Sequence, residues 1–190
     1  MNIARHLILV KHSLPEIVEN VPAQVWELSS EGRTRVGKLA EKLKQYQPEV
    51  IVSSIEPKAR QTAELICEKL GADVVVMDGL HEHDRSSVPF YSNEKFQSRI
   101  QELFEKPDEL VFGSETATQA LSRFRESIEL IMTFYDDKRL VIVSHGTVIS
   151  LFVSWLTGVD GYSLWNELGL PSFVLLDLQN KKLLETVNIN

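Results

Sequence analysis

The sequence predicts an α/β fold, a three-layer α/β/α sandwich with a mostly parallel sheet and an antiparallel edge strand. Short aliphatic runs without polar alternation, such as residues 7–10 and 140–143, are typical of strands that are buried on both faces. Strand-like and helix-like segments alternate along the chain, which favours a parallel sheet covered on both sides. With 190 residues, the chain is long enough for one core, and we expect a single domain over residues 1–190.

Six segments are expected to form the sheet. The first four are short and rich in aliphatic residues, as buried strands are. The last two are joined through Gln179-Asn180-Lys181, a hairpin-like link that makes one edge of the sheet antiparallel. The predicted strands are 6–11, 49–53, 73–77, 139–144, 173–178 and 182–188.

Five helices are expected to cover the sheet. The first follows a pair of serines that can cap its start, and Leu39, Ala40 and Leu43 give it an apolar face. Pro57 marks the start of the second helix, because proline is favoured in the first helical turn. The predicted helices are 30–46, 58–70, 94–105, 115–135 and 147–157.

The least regular part of the chain is residues 78–114. This stretch contains Asp78-Gly79, Pro89, Pro107 and Gly113, which favour turns over regular structure. We interpret it as an irregular excursion over the sheet edge that covers a pocket.

Composition restricts the classes of function. The net charge of −7 disfavours binding to nucleic acid or to anionic membranes, so a phosphate site would need a local cluster of positive charge. The single cysteine, Cys67, falls on an apolar helical stripe and cannot form an intramolecular disulfide, which favours a reducing, cytoplasmic location. The apolar run at 7–10 is too short for the core of a signal peptide or for a membrane span. A homodimer of the chain is also compatible with the sequence.

Two histidines lie directly after buried strands. His12 follows the first strand and His145 follows the fourth, and in open α/β sheets chemistry collects where strands end. Lys11 precedes the first histidine, and Lys58 lies near the start of a helix, where backbone N–H groups favour anions. Gly146 opens another helix directly after the second histidine. Together these positions predict a phosphate-binding cradle.

The motifs resemble those of the histidine phosphatase superfamily, also called phosphoglycerate mutase-like. That family has Arg-His-Gly after the first strand, where this chain has Lys11-His12-Ser13. Its Ser-x-x-x-Arg-Ala-x-Gln-Thr-Ala segment is similar to residues 54–63, and its Leu-x-Glu is similar to residues 80–82. Its late Ser/Thr-His-Gly is matched by residues 144–146, and its Leu-Thr-x-x-Gly resembles residues 28–32. The resemblance spans nearly the whole chain, in order and with comparable spacing.

The resemblance implies a role for each matching residue. His12 would be the nucleophile that accepts the phosphoryl group, and His145 would hydrogen-bond the transferring phosphoryl oxygens. Glu82 would donate a proton to the leaving oxygen and then act as the base for water. Lys11 and Lys58 would bind phosphate, and Ser13 and Gly146 would belong to the same phosphate site.

The implied activity is hydrolysis of a small phosphorylated substrate through a phosphohistidine intermediate, without a metal or other cofactor. The sequence departs from the family pattern in having lysines in place of both motif arginines. Lysine cannot form the planar, bidentate hydrogen bonds that arginine makes with phosphate. This departure leaves open a catalytically weak or silent module that binds phosphorylated ligands. A mutase-type phosphotransferase is a second alternative, disfavoured because the chain has little room for the insertions that such mutases carry.

A rival interpretation rests on residues 81–84, His-Glu-His-Asp. Two histidines and an aspartate at this spacing can begin a metal site. No second cluster of Cys, His or Asp at a recognisable spacing supplies the remaining ligands. We therefore expect no metal at the site.

Overall fold

The computed structural model of the protein describes residues 6–19 and 21–189; the ends of the predicted domain, residues 1–5 and 190, lie outside this range. Its six-stranded sheet has the order β3-β2-β4-β1-β5-β6. The four strands from β3 to β1 are parallel, whereas β5 runs antiparallel to both β1 and β6. The predicted three-layer α/β/α fold with an antiparallel edge is therefore confirmed.

The strands follow the aliphatic runs closely, within about one residue at each end of the predicted segments. Each run is apolar because both of its faces are covered, so burial fixes its position in the chain. The strands are β1 (His6–Lys11), β2 (Val50–Ser54), β3 (Asp73–Met77), β4 (Leu140–Ser144), β5 (Ser172–Asp177) and β6 (Lys182–Asn188).

The helices confirm the five predicted segments and add a sixth. The helices are α1 (Ser30–Leu43), α2 (Pro57–Leu70), α3 (Asn93–Glu105), α4 (Ala117–Phe134), α5 (Gly146–Thr157) and α6 (Gly161–Glu167). The prediction that the first helix extends to residue 46 is wrong, because a 3₁₀ turn (Lys44–Tyr46) follows α1 and ends in a left-handed Gln47. Helix α6 was missed because its seven residues bury only Gly161 and Leu164, too few to give a periodic pattern.

The two sheet faces carry separate cores. Leu7 and Leu9 of β1 pack with apolar residues of α3, α4, α5 and α6 on one face. Ile8 and Val10 pack with α1 and α2 on the other. Because successive side chains of a strand point to opposite faces, one four-residue run anchors both helical layers. The carboxyl ends of β1, β4 and β2 are thereby held side by side at one edge.

Candidate active site

The two predicted histidines meet at the carboxyl end of the central strands. β1 and β4 are parallel neighbours that pair Lys11 with Ser144, so the residues that follow them come to the same level. The backbone N–H of His12 donates to the Ser144 carbonyl at 3.0 Å. The imidazole rings of His12 and His145 lie edge to face, with centroids 5.1 Å apart. The fold thus builds one site from residues that are far apart in the chain.

The hydrogen bond of His12 determines which ring nitrogen is free. Its Nδ1 lies 2.7 Å from the Ser13 carbonyl oxygen, which can only accept, so Nδ1 carries the proton and Nε2 keeps a lone pair. Burial lowers the pKa of His12 well below its usual value, and the charges of His145 and Lys58 lower it further. At neutral pH the ring is therefore uncharged, with an available nucleophilic nitrogen.

His145 is fully buried at the start of α5. Its Nε2 lies 2.9 Å from the Ser54 hydroxyl and 3.6 Å from a carboxylate oxygen of Glu56. Burial, followed by the charge of Lys58, lowers the pKa of His145 well below its usual value. Within the part of the chain that the structure describes, the buried Nδ1 of His145 has no hydrogen-bond partner.

Glu82 caps the same helix. Its two carboxylate oxygens accept the backbone N–H groups of Thr147 at 3.1 Å and Val148 at 3.3 Å, where the helix dipole favours negative charge. Burial raises the pKa of the Glu82 carboxyl, but the charge of Arg85, the neighbouring His145 and the backbone donors outweigh burial and bring it below its usual value. The free protein therefore holds Glu82 as a carboxylate.

Lys58 is buried and paired, although a lysine in the first turn of a helix is commonly exposed. Its Nζ donates to the Ala23 carbonyl at 2.6 Å and to the carboxylate of Glu56. Burial lowers the pKa of Lys58, and the charge of Glu56 partly offsets that effect. The other oxygen of Glu56 accepts the backbone N–H of Glu82 at 2.8 Å. Glu56 therefore links the ammonium group of Lys58 to the segment that carries Glu82.

Lys11 reaches the site across the start of α5. Its Nζ donates to the Leu168 carbonyl at 2.7 Å, and burial lowers its pKa to about 8. A Cβ at Gly146 would lie 3.0 Å from Cε and 3.3 Å from Nζ of Lys11, so the glycine gives the lysine room. The predicted lysine and glycine are thus in direct contact.

Ser13 makes its hydrogen bonds within the protein. Its hydroxyl donates to the Gly32 carbonyl at 2.7 Å, and its backbone N–H donates to the Thr62 hydroxyl at 3.0 Å. Both donors of this residue are therefore used within the protein. Its carbonyl oxygen is the group that fixes the tautomer of His12.

The 81–84 cluster is divided among separate partners. Nε2 of His83 lies 2.8 Å from the Glu115 carbonyl, and its ring packs on Phe112. The Asp84 carboxylate accepts from Gln24 and from Ser86. Among residues 6–19 and 21–189 there is no group of three or more His, Cys, Asp or Glu side chains that could hold a metal ion.

The family is decided by a match over most of the chain. The family model described as histidine phosphatase superfamily, branch 1, matches residues 16–190. The chain belongs to the histidine phosphatase superfamily. The family predicted from the motifs is confirmed.

Relatives of this histidine phosphatase chain include a curated protein and solved structures. The uncharacterized phosphatase PhoE of Bacillus subtilis is 26% identical over 133 residues, which cover 70% of this chain and 66% of PhoE, slightly less than two thirds of its length. A mutant phosphoserine phosphatase from Entamoeba histolytica, with phosphoserine bound, has a TM-score of 0.77 at 16% identity and 96% coverage of both chains. A mycobacterial glucosyl-3-phosphoglycerate phosphatase has a TM-score of 0.73 at 23% identity, covering 90% of this chain and 89% of its own.

Two residues that hold the surroundings of the site were missed by sequence reasoning. The carboxylate of Glu56 was not among the predicted site residues, although it lies two positions before Lys58 in the quoted motif. Arg123 of α4 was also missed: it donates to the Gly79 and His81 carbonyls, each at 2.9 Å, and pairs with Glu115 at 2.6 Å. No sequence signal identifies such an arginine, because its partners are backbone oxygens about 40 residues away.

Residues 6–19 and 21–189 contain no helix that is both long enough and apolar enough to cross a membrane. Helix α5, the most apolar of the six described, has twelve residues and ends at Gly158. Its length is little more than half of the roughly 20 residues that a membrane span needs.

Proposed function

We propose that this chain is a phosphomonoester hydrolase that works through a phosphohistidine on His12 and needs no metal. The observation that carries the proposal is the free Nε2 of a buried, uncharged His12 beside a second buried imidazole. The three relatives described above are phosphatases by name, which supports the same class of reaction.

The first step transfers the phosphoryl group to the protein. The Nε2 lone pair of His12 forms a bond to phosphorus while the bond from phosphorus to the leaving oxygen breaks with its electron pair. In this proposal the Nδ1 of His145, which has no hydrogen-bond partner among the described residues, carries the ring proton and donates it to the phosphoryl oxygens in a hydrogen bond. Lys11 and Lys58 supply positive charge in place of a metal ion.

Glu82 must acquire a proton before it can act as the acid. In the free protein it is a carboxylate, but a phosphate dianion beside it adds like charge and raises its pKa. Substrate binding therefore brings a proton to Glu82, which passes to the leaving oxygen. In the second step Glu82 takes a proton from water, whose oxygen bonds to phosphorus as the bond to Nε2 breaks.

The finer points of the proposal concern the surroundings of the site. Gly146 contributes by admitting Lys11, and Ser13 contributes through its carbonyl; direct contact of either with phosphate stays a prediction. That the excursion over residues 78–114 covers a pocket, and that the substrate is a small phosphorylated molecule, likewise stay predictions. A single domain, a cytoplasmic location, a homodimer, and the absence of nucleic-acid and membrane partners stay predictions.

The proposal is tested by His12→Ala in the purified protein. We expect phosphatase activity to fall below about 0.1% of wild type, because covalent catalysis fails without its nucleophile. His6→Gln, an exposed histidine at the opposite end of β1, is the matched control and should keep full activity. Far-ultraviolet circular dichroism and thermal melting establish that both variants fold.

Rapid quench with a labelled substrate separates the alternatives. A hydrolase gives an acid-labile, base-stable adduct in wild type and none in His12→Ala. Phosphate binding without adduct or turnover would indicate a silent binding module. Isomerisation of a phosphoglycerate without release of phosphate would indicate a mutase. Activity that is lost with a chelator and restored by zinc would contradict the metal-independent mechanism.

A further inference from the structure

Arg85 lies in the irregular segment three residues after Glu82 and points back into the site. Its side chain is 19% exposed, and its Nη2 lies 3.3 Å from the Glu82 carboxylate. The guanidinium carbon lies 4.7 Å from the centre of the Phe96 ring, which holds the planar group from one side. Two contacts of different kinds thus fix the orientation of the side chain.

The other terminal nitrogen of Arg85 is unused. Nη1 is buried and has no hydrogen-bond partner among the described residues. Leaving a buried donor unpaired costs free energy, and more so when the group is charged. In this arrangement one terminal nitrogen of the planar guanidinium contacts the carboxylate. The other can donate a hydrogen bond to an anion bound beside that carboxylate.

The position of Arg85 is central to the site. Its charge lowers the pKa values of Lys11 and Lys58, the two lysines predicted to bind phosphate. It also lowers the pKa values of His145 and Glu82. Its ion pair with Glu82, whose carboxylate also accepts the N–H of Thr147 at the start of α5, places the guanidinium beside the space where the phosphoryl group is proposed to bind.

The two lysines are already engaged by the protein. Lys58 is held by Glu56 and the Ala23 carbonyl, and Lys11 donates to the Leu168 carbonyl. Each ammonium group has three donors and so keeps capacity for a ligand, but neither offers a planar pair of parallel N–H groups. Of Lys11, Lys58 and Arg85, only Arg85 has that geometry.

We propose that Arg85 binds the transferring phosphoryl group and supplies the guanidinium that positions 11 and 58 lack. This inference rests on the function proposed above. Nη1 donates to a phosphoryl oxygen while Nη2 stays on Glu82, so one side chain links the anion to the acid. The charge-assisted hydrogen bond is formed with the phosphoryl oxygens and strengthens as negative charge develops on them.

The test compares Arg85→Met and Arg85→Lys with Arg60→Ala. Methionine keeps an unbranched stem that can pack on Phe96 but removes every donor, whereas lysine keeps the charge. Arg60 is the matched control, because it is half-exposed on α2 and its described ion pair is with Glu64. Thermal melting of each variant verifies the fold before kinetics are measured.

We expect Arg85→Met to lower kcat/KM by about 10- to 100-fold, Arg85→Lys to recover part of that loss, and Arg60→Ala to match wild type. The second readout is the inhibition constant of inorganic phosphate, which should rise by a similar factor in Arg85→Met. A lost phosphoryl contact weakens phosphate binding whatever the leaving group.

A purely structural role of Arg85 toward Glu82 gives a different result. The inhibition constant would then stay at the wild-type value, and the loss would be confined to alkyl esters, whose leaving oxygen needs a proton, and be absent with nitrophenyl phosphate. That result would overturn the inference, as would wild-type kinetics in Arg85→Met. If the wild-type protein itself forms no phosphohistidine, the proposed function fails, whereas direct titration with inorganic phosphate still tests the contact with Arg85.

Discussion

Lys11 makes the site sensitive to alkaline pH at the scale of a single residue. Burial brings its pKa to about 8, so the ammonium is charged below that pH and becomes a neutral amine above it. A neutral amine cannot attract a phosphate dianion. A lysine at this position therefore gives the protein a titration that an arginine, which stays charged throughout this pH range, would not have.

We predict that kcat/KM for nitrophenyl phosphate falls as the pH rises through about 8, since kcat/KM reports the ionisation of the free enzyme. This substrate needs little help from an acid, so the state of Glu82 does not dominate the profile. Lys11→Arg should lose the alkaline limb while retaining activity, and Lys11→Ala should be far less active at every pH. Equal profiles for wild type and Lys11→Arg between pH 7 and 9.5 would contradict the assignment.

At the same scale, the sequence predicted some site residues better than others. His12 and His145 could be placed because each directly follows a buried strand, and burial of aliphatic runs is readable from sequence. The pairing of Lys58 with Glu56 could not, because it depends on the Ala23 carbonyl of a distant loop to complete the burial of the ammonium. The sequence shows that position 58 carries a cationic side chain, and only the fold shows which groups bind its ammonium.

At the scale of elements, the start of α1 is locked to the loop that follows β1. Ser29 caps α1 by accepting the N–H of Gly32, and the Gly32 carbonyl accepts the hydroxyl of Ser13. A Cβ on Gly32 would lie 2.1 Å from the backbone oxygen of Leu14, a distance that no relaxation of a side chain relieves. The glycine is thus required by the approach of the loop that orients His12.

We predict that Gly32→Ala destabilises the protein by about 1–3 kcal/mol, in the range of overpacked sites. Gly37→Ala is the matched control on the same helix, because a Cβ there meets nothing within 4 Å. We expect Gly37→Ala to leave the free energy of unfolding unchanged or to raise it by up to about 1 kcal/mol, because alanine is favoured over glycine in a helix. Urea denaturation of both variants measures the difference, and equal midpoints would show that the loop accommodates the added methyl group.

Elements also show where sequence reasoning was incomplete. The segment that carries Glu82 has no regular secondary structure, and four partners hold it by hydrogen bonds. Arg123 donates to its carbonyl groups, and Ser144 donates to the Leu80 carbonyl. Glu56 accepts the backbone N–H of Glu82, and the first N–H groups of α5 donate to the Glu82 carboxylate. Each of these contacts joins distant parts of the chain. Periodicity predicts strands and helices, but a loop fixed by long-range polar contacts has no period to detect.

At the scale of the whole molecule, a locally positive site is buried in a protein with a net charge of −7. Lys11, Lys58 and Arg85 face two carboxylates, Glu56 and Glu82, so the free site has one positive charge in excess. Cations held together away from water are costly. An anion that enters the site relieves this cost, and the overall negative field makes the cluster the attractive place for it to bind.

We predict that inorganic phosphate raises the Tm of the wild-type protein, because a ligand that binds only the native state stabilises it by mass action. At a phosphate concentration about 100 times Kd, the gain is about 2.7 kcal/mol, which for a chain of this size corresponds to roughly 5–10 °C. Phosphate also stabilises proteins nonspecifically by exclusion from their surface, so the decisive quantity is the difference between variants at one phosphate concentration. Arg85→Met and Lys11→Met should lose most of the shift, and Arg60→Ala should keep it. A shift of the same size in all four proteins would show that phosphate acts on the surface and that the buried cations form no anion site.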